Sequence, residues 1–113
     1  MVVEDDPAVR AVLTEVAQDE GCEICAAENG RDALSLASAH EPDLVLLDLH
    51  MPVMDGAAFA REYRRRGGRA PILVVSNCDD AAEHLHGIGI DGFLRKPFQI
   101  EDVERALAQS LHR

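Results

Sequence analysis

Residues 44–56, Leu-Val-Leu-Leu-Asp-Leu-His-Met-Pro-Val-Met-Asp-Gly, run four apolar residues straight into the carboxylate of Asp48, turn at His50-Met51-Pro52 and close on Asp55-Gly56. The apolar run follows the breaker Glu41-Pro42-Asp43. It has the length and continuity of a strand buried on both faces, as in a parallel sheet. A carboxylate at the mouth of such a strand is costly unless something nearby uses it.

Similar short apolar runs alternate with helical periodicity on either side. Met1-Val2-Val3 reads as a stub of strand, and Asp6-Pro7 as an N-cap followed by proline at the first helical position. Val9, Val12, Leu13, Val16 and Ala17 recur at helical spacing, and Gly21 stops them. A strand is expected at 22–27, then an Asn29-capped helix to about Ala39, the strand 44–48, and a helix from Gly56 to Arg66 ended by Gly67-Gly68. Beyond Pro71 come the strand Ile72-Leu73-Val74-Val75, a weak helix around Asp80 to His86, and the strand Phe93-Leu94-Arg95. The last helix runs from near Gln99 to Leu111, with Ile100, Val103, Ala106, Leu107 and Leu111 facing inward. Five strand-helix units without linker or repeat imply one α/β domain over residues 1–113, a doubly wound five-stranded parallel sheet covered by helices on both faces.

Composition narrows the function. Eleven basic against 21 acidic residues give a net charge of −10, which repels nucleic acid phosphate and argues against direct DNA binding by this chain. The longest apolar runs are strand-sized, and no basic, then apolar leader opens the sequence, so a cytoplasmic location without membrane contact is expected. Cys22-Glu23-Ile24-Cys25 spells C-x-x-C, but in a strand its two thiols would face opposite ways and share neither a disulfide nor a metal.

Doubly wound folds bind ligands beyond the C-terminal ends of their strands. Strand 1 leads there into Glu4-Asp5-Asp6 and strand 3 into Asp48, while strand 4 ends in Ser76 and strand 5 leads to Lys96. Carboxylates converging this way are accommodated by a hard cation, for which Mg²⁺ suits oxygen donors. Asp48 beside Mg²⁺ could act as nucleophile and form an aspartyl phosphate, with Lys96 neutralising charge and the Ser76 hydroxyl holding a phosphoryl oxygen.

These residues resemble the receiver domain of two-component response regulators, similar to the chemotaxis response regulator, over essentially the whole chain. The match lies in Val2-Val3-Glu4-Asp5-Asp6-Pro7, Leu46-Leu47-Asp48-Leu49-His50-Met51-Pro52 with Met54-Asp55-Gly56, Val74-Val75-Ser76, and Phe93-Leu94-Arg95-Lys96-Pro97-Phe98. The resemblance implies a flavodoxin-like (βα)5 fold of strand order 2-1-3-4-5, with Asp48 as phosphoacceptor. It further implies a Mg²⁺ site formed by Asp5, Asp48 and the backbone carbonyl of His50, with Glu4 acting through water. Ser76 and Phe93 become the switch pair, Lys96 the phosphate-contacting lysine, and Lys96–Pro97 a cis bond. A histidine kinase or phosphotransfer protein would donate the phosphoryl group. The face of the fourth helix, fifth strand and last helix would then change, to be read by an output domain or downstream protein, or by a second copy in an activated homodimer.

The chain departs from that pattern in three places. Met1 falls almost inside the first strand, the span from Ser76 to Lys96 is short and includes Gly87-Ile88-Gly89-Ile90, and positions 50 and 78 are histidine and cysteine. No output domain is expected after the last helix. Taken singly, each site residue has an ordinary explanation: Asp48 as a strand-end turn former, Asp6 as an N-cap, Lys96 as a solvated charge, Phe93 as core or a partly exposed aromatic, His50, His84 and His86 as solvated side chains, and Arg64-Arg65-Arg66 as the basic end of a helix. Two other functions compete: a pseudo-receiver that only docks or dimerises, and a small Mg²⁺-dependent aspartyl phosphatase like the haloacid dehalogenases. The latter usually carry Asp-x-Asp, where this chain has Asp48-Leu49-His50.

Overall fold

The structure, a computed structural model, describes residues 1–21, 24–51, 53–77 and 85–111. Five strands, β1 (Val2–Val3), β2 (Ala26–Ala27), β3 (Val45–Asp48), β4 (Ile72–Ser76) and β5 (Gly92–Arg95), form one sheet in the order β2-β1-β3-β4-β5. Every pairing is parallel, so the doubly wound architecture expected from the sequence is the one found. The helices among the described residues are α1 (Pro7–Asp19), α2 (Gly30–Ala39), α3 (Gly56–Arg65) and α4 (Ile100–Leu111).

The continuous apolar strands divide by parity. Val2, Leu46, Leu73 and Val75 pack with Leu13, Val16 and Ala17 of α1 and with Val103 and Leu107 of α4. Val3, Val45, Leu47, Ile72 and Val74 pack on the other face with Ala33 and Leu34 of α2 and with Phe59 and Tyr63 of α3. α1, α2 and α3 each start where a cap satisfies free N–H groups. Asp6 accepts from the N–H of Ala8 and Val9, Asn29 from Asp32, and Asp55 from Ala58. Gly21 and Gly67, at φ 88° and 89°, carry the left-handed turns after α1 and α3.

Several expectations change. Among the described residues of the expected strand only Ala26–Ala27 are in the sheet ladder, and Cys25 just before them is a free, exposed thiol; Cys22 and Glu23 lie outside the described residues. Val12 is 39% exposed and Ile100 52%. Val12 falls at the edge of the stripe set by Leu13, Val16 and Ala17, and Ile100 is the first residue of α4, ahead of the turns that meet the sheet. The helix expected at Asp80 to His86 lies mostly outside the described residues, and Leu85–Gly87 form a turn closed by the Ile88 N–H on the Leu85 carbonyl at 3.0 Å. At the end of α3, Arg65 and Arg66 pair with Glu62. Arg64 instead reaches the carbonyls of Gly68 and Gly89 and the carboxylate of Asp91.

Candidate functional site

The register places the acids. β1 pairs Val2 with Leu46 and Val3 with Leu47; one residue further, Glu4 stands beside Asp48, both on the side of Val2 and Leu46. Glu4 and Asp48 are buried, and Asp5 is exposed. Among the described residues these three offer carboxylate oxygens that all lie within 4.8 Å of one another.

Lys96, just past β5, reaches into this cluster. Its Nζ donates to Glu4 Oε1 at 2.8 Å and lies 3.7 Å from Asp48 Oδ1. Burial works against its charge, but the Glu4 hydrogen bond and the charges of Asp48, Glu4 and Asp5 prevail and hold its pKa above the usual lysine value. Burial pushes the Glu4 carboxyl up, the Asp48 side chain adds to that, and Lys96 pulls it back only in part. One lysine among three carboxylates leaves negative charge uncompensated. Glu4 Oε2 shows it most plainly, being buried without a hydrogen-bond partner. An all-oxygen donor set with an orphaned oxygen and one solvent-facing carboxylate fits a hard, partly hydrated divalent cation.

Other expected residues fall around the same point. Ser76 is the last residue of β4, buried and one position beyond Val75, the residue paired with Asp48. Its carbonyl accepts the Lys96 N–H at 2.9 Å, and the Lys96–Pro97 bond is cis. His50 is exposed and donates its backbone N–H to Asp48 Oδ1 at 3.4 Å. Phe93, on β5 opposite Val74, is 47% exposed, so it stands outside the core. Asp6 serves as the α1 cap. Cys78 and His84 lie outside the described residues.

Two residues outside the expected site set also shape it. A Cβ on Gly56 would meet the Asp48 carbonyl at 2.2 Å and Leu49 Cα at 2.8 Å, and the Gly56 N–H bonds the Leu49 carbonyl at 2.9 Å. Glycine there lets the start of α3 press on the end of β3 and hold the strand that carries Asp48; the Asp55-Gly56 pair was its only signal. Arg10, on the first turns of α1, sends Nη1 to the carbonyls of Glu4 at 2.9 Å and Asp5 at 3.4 Å. No spacing pattern marks such a contact.

The family model described as "Response regulator receiver domain" matches residues 1–108. Among curated proteins, the "Response regulator MprA" of Mycolicibacterium vanbaalenii is 37% identical over all of this chain and half of its own length, and that of Mycobacterium avium is 35% identical over the same shares. The chain thus spans about half the length of the curated relatives it matches. Among solved structures, the Vibrio cholerae chemotaxis protein CheY4 superposes with a TM-score of 0.89 at 30% identity, over 97% of this chain and 95% of that one. The receiver domain of the sensor histidine kinase PA1611 of Pseudomonas aeruginosa, described with a magnesium ion coordinated in its active site cleft, gives a TM-score of 0.89 at 26% identity over 99% and 95%.

Proposed function

The chain belongs to the response regulator receiver domain family, and from that premise we propose that residues 1–113 form a phosphoacceptor module that takes a phosphoryl group onto Asp48 and changes its surface in response. The observation that carries this reading is the convergence of buried Asp48 with Glu4, Asp5 and Lys96. An Asp48 carboxylate oxygen forms a bond to phosphorus as the phosphorus–nitrogen bond of a phosphohistidine breaks, and the electron pair leaves with the imidazole. Mg²⁺, when bound, neutralises charge on the phosphoryl oxygens; Asp5, Asp48 and the His50 carbonyl would hold it, with Glu4 through water. Lys96 supplies a second positive charge at the same oxygens. The chemistry ends on the protein itself, without turnover of a separate substrate.

The Ser76 hydroxyl then accepts a role at the new phosphoryl oxygens, and half-exposed Phe93 turns toward the space this leaves. The face formed by the segment before β5, β5 and α4 is what a partner reads. That partner is an output domain, a downstream protein or a second copy, and the donor is a histidine kinase or phosphotransfer protein in the cytoplasm.

The test is intact mass after incubation with acetyl phosphate and Mg²⁺. One phosphoryl adduct is expected, dependent on Mg²⁺ and absent in Asp48→Asn. Loss of the adduct together with failure to bind beryllofluoride would favour a docking pseudo-receiver. Steady hydrolysis of a phosphomonoester would favour a phosphatase.

A further inference from the structure

The loop that carries Glu4 and Asp5 leaves a strand of only two residues, so the sheet guides it as far as Glu4 and no further. Its amide side is tied down by the Glu4 N–H on the Ala27 carbonyl at 3.0 Å, and its far end by the Asp6 cap of α1. Between them the carbonyls of Glu4 and Asp5 are both taken by one guanidinium nitrogen of half-buried Arg10. Arg10 is itself fixed in the helix, its carbonyl receiving the Thr14 hydroxyl at 2.7 Å. We propose that Arg10 is a positioning residue for the cation site, gripping the Glu4–Asp5 backbone so that both carboxylates face Asp48. This rests on the metal-assisted reading of the site.

Arg10 has two opposite effects on a bound cation, and their signs separate them. Its positive charge repels a divalent ion, so charge alone predicts tighter Mg²⁺ binding once Arg10 is removed. Its grip on the loop predicts weaker binding, because residues that orient metal ligands typically change affinity by about 10-fold or more when lost.

Calorimetric titration of Mg²⁺ into the metal-free protein reads the outcome directly. Arg10→Met, which keeps an apolar stem, is expected to raise the Mg²⁺ dissociation constant by about 10-fold, and Arg10→Lys, which keeps the charge but ends one bond short of Nη1, by less. In acetyl phosphate labelling the shift falls on the half-saturating Mg²⁺ concentration rather than on the plateau rate, which separates positioning from a general loss of structure. A dissociation constant that is unchanged or lower in Arg10→Met overturns the proposal. If that variant does not fold, Arg10→Lys decides: weaker binding at unchanged charge supports the grip, and equal binding overturns it. A wild type that binds Mg²⁺ but takes up no phosphoryl group would refute the phosphoacceptor reading while leaving the affinity comparison valid; a wild type that binds no Mg²⁺ refutes the positioning role.

Discussion

Val53 stands at φ 71° and is 66% exposed. A β-branched residue in the left-handed region is strained, and one so exposed gains little from burial in return. Val53→Asn is therefore expected to stabilise the protein by about 1 kcal/mol, raising the melting temperature by about 5 °C; an unchanged or lower temperature would contradict the strain. Tyr63 offers a second test. Its hydroxyl donates to Glu41 Oε1 at 2.6 Å and accepts the Ala70 N–H at 3.1 Å. Burial first, and then the Glu41 hydrogen bond, push its pKa up to about 12 from an ordinary 10.0. The raised value means that the folded state keeps this proton when the unfolded chain has lost it. The linked stability is present below pH 10.0 and disappears as pH rises toward about 12. Tyr63 is the sole tyrosine and there is no tryptophan, so phenolate absorbance reports it alone. A midpoint near 10 in the folded protein would refute the buried hydrogen bond.

At the scale of elements, the site depends on how closely α3 approaches β3. Gly56→Ala forces a Cβ into the Asp48 carbonyl and the Leu49 backbone. It should destabilise by about 1–3 kcal/mol and slow phosphoryl uptake, whereas Ala58→Gly on the same helix should cost only about 1 kcal/mol with uptake retained. Equal uptake in both variants would show that the contact does not hold Asp48 in place. Elements legible in the sequence are those whose physics is local: β3 and β4 as unbroken apolar runs buried on both faces, α1 and α2 from their caps Asp6 and Asn29, and the end of α3 from Gly67-Gly68; the Asp55 cap of α3 came from the structure alone. β2 is shorter among the described residues than the expected 22–27, because an apolar run shows where a strand lies and not how far its ladder extends. Ile100 is expected inward but is exposed, because periodicity gives a stripe, not where along the helix the sheet stops. Arg10 left no trace, since a side chain reaching back to loop carbonyls follows neither period.

Across the whole molecule, the acids at the ends of β1 and β3 meet because parallel pairing carries both strands to the same edge of the sheet, and Lys96 meets them because β5 ends there too. The net charge of −10 raises the attraction of that edge for a divalent cation and falls off in strength with added salt. The placement of Asp48 was readable because topology, once inferred from alternation, fixes which strand ends gather. The direction of Phe93 was not, since a half-exposed residue satisfies the same pattern inward or outward.

On this reading Asp48 alone takes the phosphoryl group. After incubation with acetyl phosphate and Mg²⁺, borohydride reduction converts an acyl phosphate to the corresponding alcohol, and peptide mass spectrometry locates it. Homoserine is expected at position 48 and unchanged aspartate at positions 5, 6 and 55. Homoserine at another acid, with Asp48 unchanged, would contradict it.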